Sequence, residues 1–67
     1  MEIRLNGAPH RLDGGMLSEL LAGEQIDPTR RGVAVAVNSA VVPRKLWSTL
    51  ALNPGDEVEI VRPHSGG

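Results

Sequence analysis

The chain has 67 residues, a formal net charge of −1 and no cysteine. A chain of this length forms one marginally stable domain, because folding buries only about 60% of the surface that the unfolded chain exposes. The composition excludes disulfides, iron–sulfur clusters and a cysteine nucleophile, and its mixed charges and single aromatic residue, Trp47, argue against a nucleic-acid surface. No window approaches the ~18 apolar residues of a membrane span, so we expect a cytoplasmic protein that binds neither nucleic acid nor membrane.

The first residues predict a β-hairpin. Residues 1–6 alternate between apolar and polar side chains, which indicates a strand with one buried face. Asn6-Gly7 is the strongest hairpin-turn signal in the chain, although Ala8 and Pro9 leave room for a longer turn. A second strand is predicted at residues 10–13, with Leu12 pointing inward.

A helical period follows from residue 17. Leucines three and four positions apart form one apolar stripe, which predicts a helix over residues 17–24. Met16 occupies the N-cap position and offers no side-chain oxygen, so we expect a weakly capped start. Glu19 nevertheless stands at the second position of a capping box.

The second half of the chain predicts three strands and a helical turn. Residues 33–37 alternate valine and alanine, residues 40–42 form a short return strand, and residues 57–62 alternate again. Pro43 suits the first turn of a short helix over residues 43–47. Trp47 is expected in the core, and the basic pairs 30–31 and 44–45 are interpreted as solvated surface.

This order of elements predicts an α+β fold. A hairpin, one crossing helix and further strands indicate a mixed sheet with the main helix packed on one face and an additional short helical turn. This is the β-grasp arrangement of ubiquitin. We expect residues 1–62 to form the domain and residues 63–67 to form a flexible tail that ends in Gly-Gly.

That Gly-Gly end is the predicted reactive group. A terminal glycine has no Cβ beside its carboxylate, so an extended end can be threaded into a narrow cleft. We expect Gly67 to react, with His64, Ser65 and Gly66 threaded through the partner's cleft. A frayed end without function is the alternative interpretation.

Other candidate positions are few. Val61 points outward from the last strand and, beside Ala34 and Ala36, suggests an apolar face on which a partner docks; a single scattered surface valine is the alternative. His10 and His64 lie at opposite ends of the sequence and are interpreted as solvated. We therefore expect no catalytic residue, no metal site and no bound cofactor.

The chain resembles the ThiS family, the small ubiquitin-like sulfur carriers of thiamin (thiazole) biosynthesis. The resemblance rests on residues 35–38 (Val-Ala-Val-Asn), 41–44 (Val-Val-Pro-Arg) with Trp47, 55–61 (Gly-Asp-Glu-Val-Glu-Ile-Val) and the final Gly-Gly. It implies a carrier and not an enzyme. In the family, an E1-like adenylating enzyme (ThiF-like) uses ATP to activate the terminal carboxylate, which here is that of Gly67.

The resemblance also implies the later partners. A sulfur donor such as a cysteine desulfurase supplies persulfide sulfur that displaces AMP, and a thiazole synthase (ThiG-like) takes sulfur from the resulting thiocarboxylate. The free carrier is expected to be a monomer. Three alternatives stay open: a carrier of the same fold for molybdopterin (MoaD-like), cysteine synthesis or tRNA thiolation, a ubiquitin-like protein modifier, and a plain interaction domain.

Overall fold

The computed structural model describes residues 1–63 and contains five strands, one α-helix and one 3-10 turn in that range. In chain order these are β1 (Glu2–Leu5), β2 (Ala8–Arg11), α1 (Leu17–Gly23), β3 (Ala34–Val37), β4 (Ala40–Val41), the 3-10 turn (Arg44–Leu46) and β5 (Glu57–Val61). All of the predicted elements are present, and the differences concern their ends.

The strands form one mixed sheet in the order β2-β1-β5-β3-β4. β1 and β5 are parallel, whereas the two hairpins and the β3–β5 pair are antiparallel. β5 is therefore the central strand and joins two hairpins that have no direct contact through the sheet. With α1 packed on one face, this is the predicted β-grasp fold.

One face of the sheet and the apolar stripe of α1 enclose the core. Alternation in β1, β3 and β5 directs every second side chain toward the helix, as the sequence predicts, whereas β2 and β4 contain no buried residue. The buried core residues are Ile3, Leu12, Leu17, Leu20, Leu21, Ile26, Val35, Val42, Trp47, Leu52, Val58 and Ile60. Within the described range, no buried side-chain nitrogen or oxygen lacks a hydrogen-bond partner.

The first hairpin turn consists of two residues and does not extend into Ala8 and Pro9, as the sequence had allowed. Asn6 and Gly7 have φ values of 50° and 85°, as in a two-residue type I′ turn, so pairing resumes at Ala8. β2 therefore begins two residues before the predicted start. Pro9 is tolerated because β2 is an edge strand, where its missing N–H removes no ladder bond.

Helix α1 has the expected weak start and a well-formed end. Met16 makes no side-chain capping bond, and the carboxylate of Glu19 accepts instead from the N–H groups of Asp13 and Gly14, at 3.1 and 2.9 Å. At the other end, Gln25 has φ 60° and its N–H donates to Ala22 at 3.0 Å. A second bond from Ile26 N to Leu21 O, at 2.9 Å, completes a Schellman motif.

No helix within residues 1–63 is long and apolar enough to cross a membrane.

Candidate functional site

The structure describes the chain up to Pro63, so the predicted reactive residue and the predicted threading residues lie outside it. These are His64, Ser65, Gly66 and Gly67. The domain boundary at residue 62 and the expected flexibility of residues 63–67 likewise stay predictions. The described site is therefore the segment from which these residues continue, together with the surfaces around it.

That segment is continuous with the central strand. β5 pairs with β1 on one side, through Leu5 and Val58, and with β3 on the other side as far as the pair of Ala34 and Val61. Alternation along β5 buries Val58 and Ile60 and exposes Val61. The chain thus leaves the central strand of the sheet only two residues before Pro63.

Two contacts hold the residues that follow β5. The guanidinium of Arg62 lies 3.2 Å from the carboxylate of Glu24, the C-cap residue of α1, and both side chains are partly exposed. The backbone of Gly32 passes so close to Pro63 that a Cβ at Gly32 would lie 3.1 Å from the proline ring. Gly32 also has φ 91°, a conformation that glycine adopts without strain.

An open cleft of about 210 Å³ lies beside this segment. Arg30, Arg62 and Asp27 contribute charged side chains to its wall, with Pro63 at one side. The side-chain hydroxyl and the backbone N–H of Thr29 both donate to Asp27, at 2.6 and 2.8 Å, and hold the pKa of that carboxyl below its ordinary value. Asp27 is therefore charged at neutral pH.

The predicted docking residues do lie together on the outer face of the sheet. Val61 pairs directly with Ala34, Ala36 is the next outward residue of β3, and the side chain of Val61 is 61% exposed. The structure adds Val41 of β4, which pairs with Ala36 and is 76% exposed. Alternation could have identified Val41, because a strand that directs Val42 inward directs its neighbour outward. We call these four residues the apolar strip.

The strip has an acidic border on one side. Glu59 pairs with Ala36 from β5, and Glu57 lies two residues earlier on the same face. The carboxylate of Glu57 lies 3.8 Å from the guanidinium of Arg4 on β1, whereas among residues 1–63 no cation lies within salt-bridge distance of Glu59. The outer face thus combines small apolar side chains with negative charge.

The residues that carry the resemblance have a structural role that the sequence did not predict in full. Trp47 is buried, as expected, and its indole N–H donates to the carbonyl of Val42 at 3.0 Å. Arg44 is exposed, as expected, and it also stacks 4.3 Å from the centre of the Trp47 ring and donates to the carbonyls of Pro28 and Val33. Arg44 therefore ties the long connection between α1 and β3 to the core.

His10 stays isolated within the described residues. It lies in β2, on the edge of the sheet and far along the chain from the residues around Pro63. Among residues 1–63, no group of three or more His, Asp or Glu side chains could hold a metal ion. The candidate site therefore consists of the apolar strip and the segment in which the chain leaves β5.

Comparison with known proteins agrees with this architecture. The ThiS family model matches residues 3–67. Sulfur carrier protein ThiS of Escherichia coli is 35% identical over 54 residues, which cover 81% of this chain and 79% of that protein. Two thiazole synthases, from Magnetococcus marinus and Paramagnetospirillum magneticum, are 40% and 36% identical across 100% of the chain, which spans only 20% of the length of each.

A solved structure shares the whole fold. The crystal structure of thiamine biosynthesis protein ThiS from Geobacter metallireducens matches with a TM-score of 0.78 at 28% identity, and the match covers 100% of both chains. The sequence match extends over nearly the full length, and the fold is the same. The chain belongs to the ThiS family.

Proposed function

We propose that this protein is a sulfur carrier of thiamine biosynthesis and that Gly67 carries the sulfur. The chain supplies a carboxylate and a docking surface to partner enzymes and is their co-substrate. The observation that carries the proposal is the central, doubly paired β5, which leads within a few residues to Gly66 and Gly67. Membership of the ThiS family and the sulfur carrier from Escherichia coli support it.

The proposed chemistry begins at the terminal carboxylate. An α-carboxyl group is ionised at neutral pH, so it can attack the α-phosphorus of ATP but is a poor acyl electrophile. The attack, in the active site of an E1-like adenylating enzyme, releases pyrophosphate and leaves an acyl-adenylate. A persulfide from a sulfur donor such as a cysteine desulfurase then attacks the acyl carbon, AMP leaves, and a thiol cleaves the S–S bond to give the thiocarboxylate.

A thiazole synthase is the proposed acceptor enzyme. In the two thiazole synthases that match, a region similar to this whole chain is part of the synthase polypeptide. Covalent linkage of the two regions is consistent with their acting together. No bound cofactor is needed in the carrier, because the adenylating enzyme holds and consumes ATP.

The apolar strip is the proposed docking surface for these partners. Val61, Ala34, Ala36 and Val41 are small or branched apolar side chains on an exposed sheet face, and Glu59 can pair with a basic residue of the partner. Val61 lies two residues before Pro63, so an enzyme seated here also reaches the chain end. The free carrier is proposed to be a monomer whose strip is covered only in the complex.

The direct test is mass spectrometry. The protein is isolated from its own cells to verify that the chain ends at Gly67, and it is then incubated with the adenylating enzyme, ATP and a sulfur donor. The expected product is heavier by one oxygen-to-sulfur replacement, located in the C-terminal peptide. One alanine added after Gly67 should abolish the gain, because it moves the reacting carbon by about 3.5 Å and places a Cβ beside it. Unchanged adenylation of that variant would contradict the proposal.

Docking is tested separately. Val61→Asp should slow adenylation by at least about tenfold, since it buries a charge at the centre of the proposed interface. Ser18→Asp is the control, because Ser18 is exposed on the helical side, away from the strip. Equal rates for the two variants would exclude the strip as the docking surface. Capture of a molybdopterin synthase large subunit in place of a thiazole synthase would assign the carrier to another pathway.

A further inference from the structure

Both tight hairpin turns of the sheet begin with an asparagine. Asn6 has φ 50° and Asn38 has φ 51°, and the residues after them, Gly7 and Ser39, are also at positive φ, as type I′ turns require. Asparagine is common at such positions because it tolerates this backbone conformation. In both turns, however, the side chain does more than that: it leaves its own hairpin and hydrogen-bonds to β5.

Asn6 extends the ladder between β1 and β5. The backbone N–H of Asn6 donates to Val58 O at 2.9 Å, and there the chain turns away from β5. The side chain then takes over: its Oδ1 accepts from Ile60 N at 2.9 Å and its Nδ2 donates to Ile60 O at 3.3 Å. The carboxamide thus presents one acceptor and one donor to Ile60, two bonds that would otherwise need two further residues of β1, since the ladder is parallel.

The replacement of backbone ladder bonds by bonds from the Asn6 side chain matters because of the position of Ile60 in β5. Beyond Val58, β1 offers no further residue to β5, so on that side the two bonds from Asn6 hold the last part of the strand. On the other side β3 pairs as far as Val61. Without Asn6, the end of β5 would be held along one edge only, three residues before Pro63.

We propose that Asn6 is a positioning residue whose carboxamide, by binding both backbone groups of Ile60, sets the direction in which the chain leaves β5 toward the reacting glycine. The inference rests on the proposed function for the identity of that glycine. Its effect is on alignment: a strand end fixed along both edges delivers the following residues to the partner's cleft in fewer orientations.

Asn38 supplies a matched control. It occupies the same position in the same type of turn, and its Oδ1 accepts from Glu57 N at 3.0 Å while its Nδ2 donates to Asp56 at 3.0 Å. These bonds are at the start of β5, the end remote from Pro63. The two asparagines therefore make similar contributions to the same strand at opposite ends.

The experiment compares Asn6→Gly with Asn38→Gly, since glycine keeps the positive φ of each turn and removes only the side chain. Amide exchange is measured at Ile60, with Leu21 of α1 as reference, and carrier adenylation is followed with the partner enzyme. In Asn6→Gly, exchange at Ile60 should accelerate by about fivefold relative to Leu21, the factor for one net hydrogen bond. The kcat of adenylation should fall by about three- to tenfold with little change in KM.

Asn38→Gly should change neither the relative exchange at Ile60 nor kcat by more than about twofold. The proposal would be overturned if kcat fell in both variants in proportion to the loss of their free energy of unfolding. If Asn6→Gly does not fold, Asn6→Asp keeps the acceptor for Ile60 N and replaces the donor to Ile60 O by a carboxylate oxygen. Wild-type exchange and kcat in Asn6→Asp would also overturn it. A wild-type protein that is not adenylated at all contradicts the proposed function instead.

Discussion

Trp47→Phe tests how much of the stability of this small domain depends on one side chain. The indole is 3% exposed, its N–H donates to Val42 O at 3.0 Å, and the guanidinium of Arg44 lies 4.3 Å from its centre. Phenylalanine preserves an aromatic ring for Arg44 but removes the donor and part of the volume. The buried carbonyl of Val42 then loses its partner.

Trp47→Phe is expected to remove a large fraction of the free energy of unfolding of the domain. A buried carbonyl left without its hydrogen bond costs about 1–3 kcal/mol. The volume that the smaller ring leaves unfilled adds about 1 kcal/mol. Their sum, about 2–4 kcal/mol, compares with the ~3–5 kcal/mol that a single core of this size supplies. We therefore expect Trp47→Phe to lose most of its free energy of unfolding.

Urea unfolding followed by far-UV circular dichroism measures this loss. Fluorescence does not serve, because Trp47 is the only aromatic residue and the variant has no tryptophan signal. Leu46→Ala is the control, since Leu46 is the adjacent residue and is 42% exposed. A loss below about 1 kcal/mol in Trp47→Phe, or an equal loss in both variants, would refute the role assigned to the buried bond.

Four further changes follow from local geometry. Gln25→Gly should raise the free energy of unfolding by about 0.5–1 kcal/mol, because Gln25 follows the C-cap residue of α1 at φ 60°, where glycine is the usual residue. Thermal unfolding would show this gain as a higher Tm. Ser39→Gly should give a similar gain at φ 70°, and the two gains should add. Glu19→Ala should lower urea stability by about 0.5–1.5 kcal/mol, since two backbone N–H groups lose their acceptor. Thr29→Val should raise the pKa of Asp27 in a carbon NMR titration, because the hydroxyl that stabilises its charged form is removed. The native pKa of Asp27 is lowered, so its contribution to stability is present at neutral pH and is lost as the pH falls below the ordinary carboxyl range. An unchanged free energy of unfolding, or an unchanged pKa of Asp27 in Thr29→Val, would contradict the role given to the local contact or backbone angle concerned.

Local patterns predicted the elements of this fold well, because each element has its own periodicity. Alternation located the strands and predicted that Val58 and Ile60 are buried, and the leucine stripe located α1. Asn6-Gly7 predicted the hairpin, yet the start of β2 was placed late, since Pro9 is acceptable only on an edge strand and the sheet order was not visible in the sequence.

Contacts between distant segments were the part that local patterns missed. Arg44 is exposed, as interpreted, but its contacts with Trp47 and with the carbonyls of Pro28 and Val33 form only in the folded domain and were not predicted. The bonds from Asn6 to Ile60 join residues 54 positions apart. Conversely, alternation identified Val61, Ala34 and Ala36 as outward residues, and the pairing of β3 with β5 brings them together.

The central position of β5 also orders events during synthesis. In the folded sheet the hairpins β2-β1 and β3-β4 do not pair with each other and are joined only through β5, so the sheet cannot close before β5 has been synthesised. Pairing over such long separations is slow and follows chain emergence. A nascent chain that stops before β5 therefore has neither a closed core nor Val61 in its place beside Ala34. If partner enzymes recognise the folded sheet, as proposed, they meet only chains that already include the strand leading to the glycines.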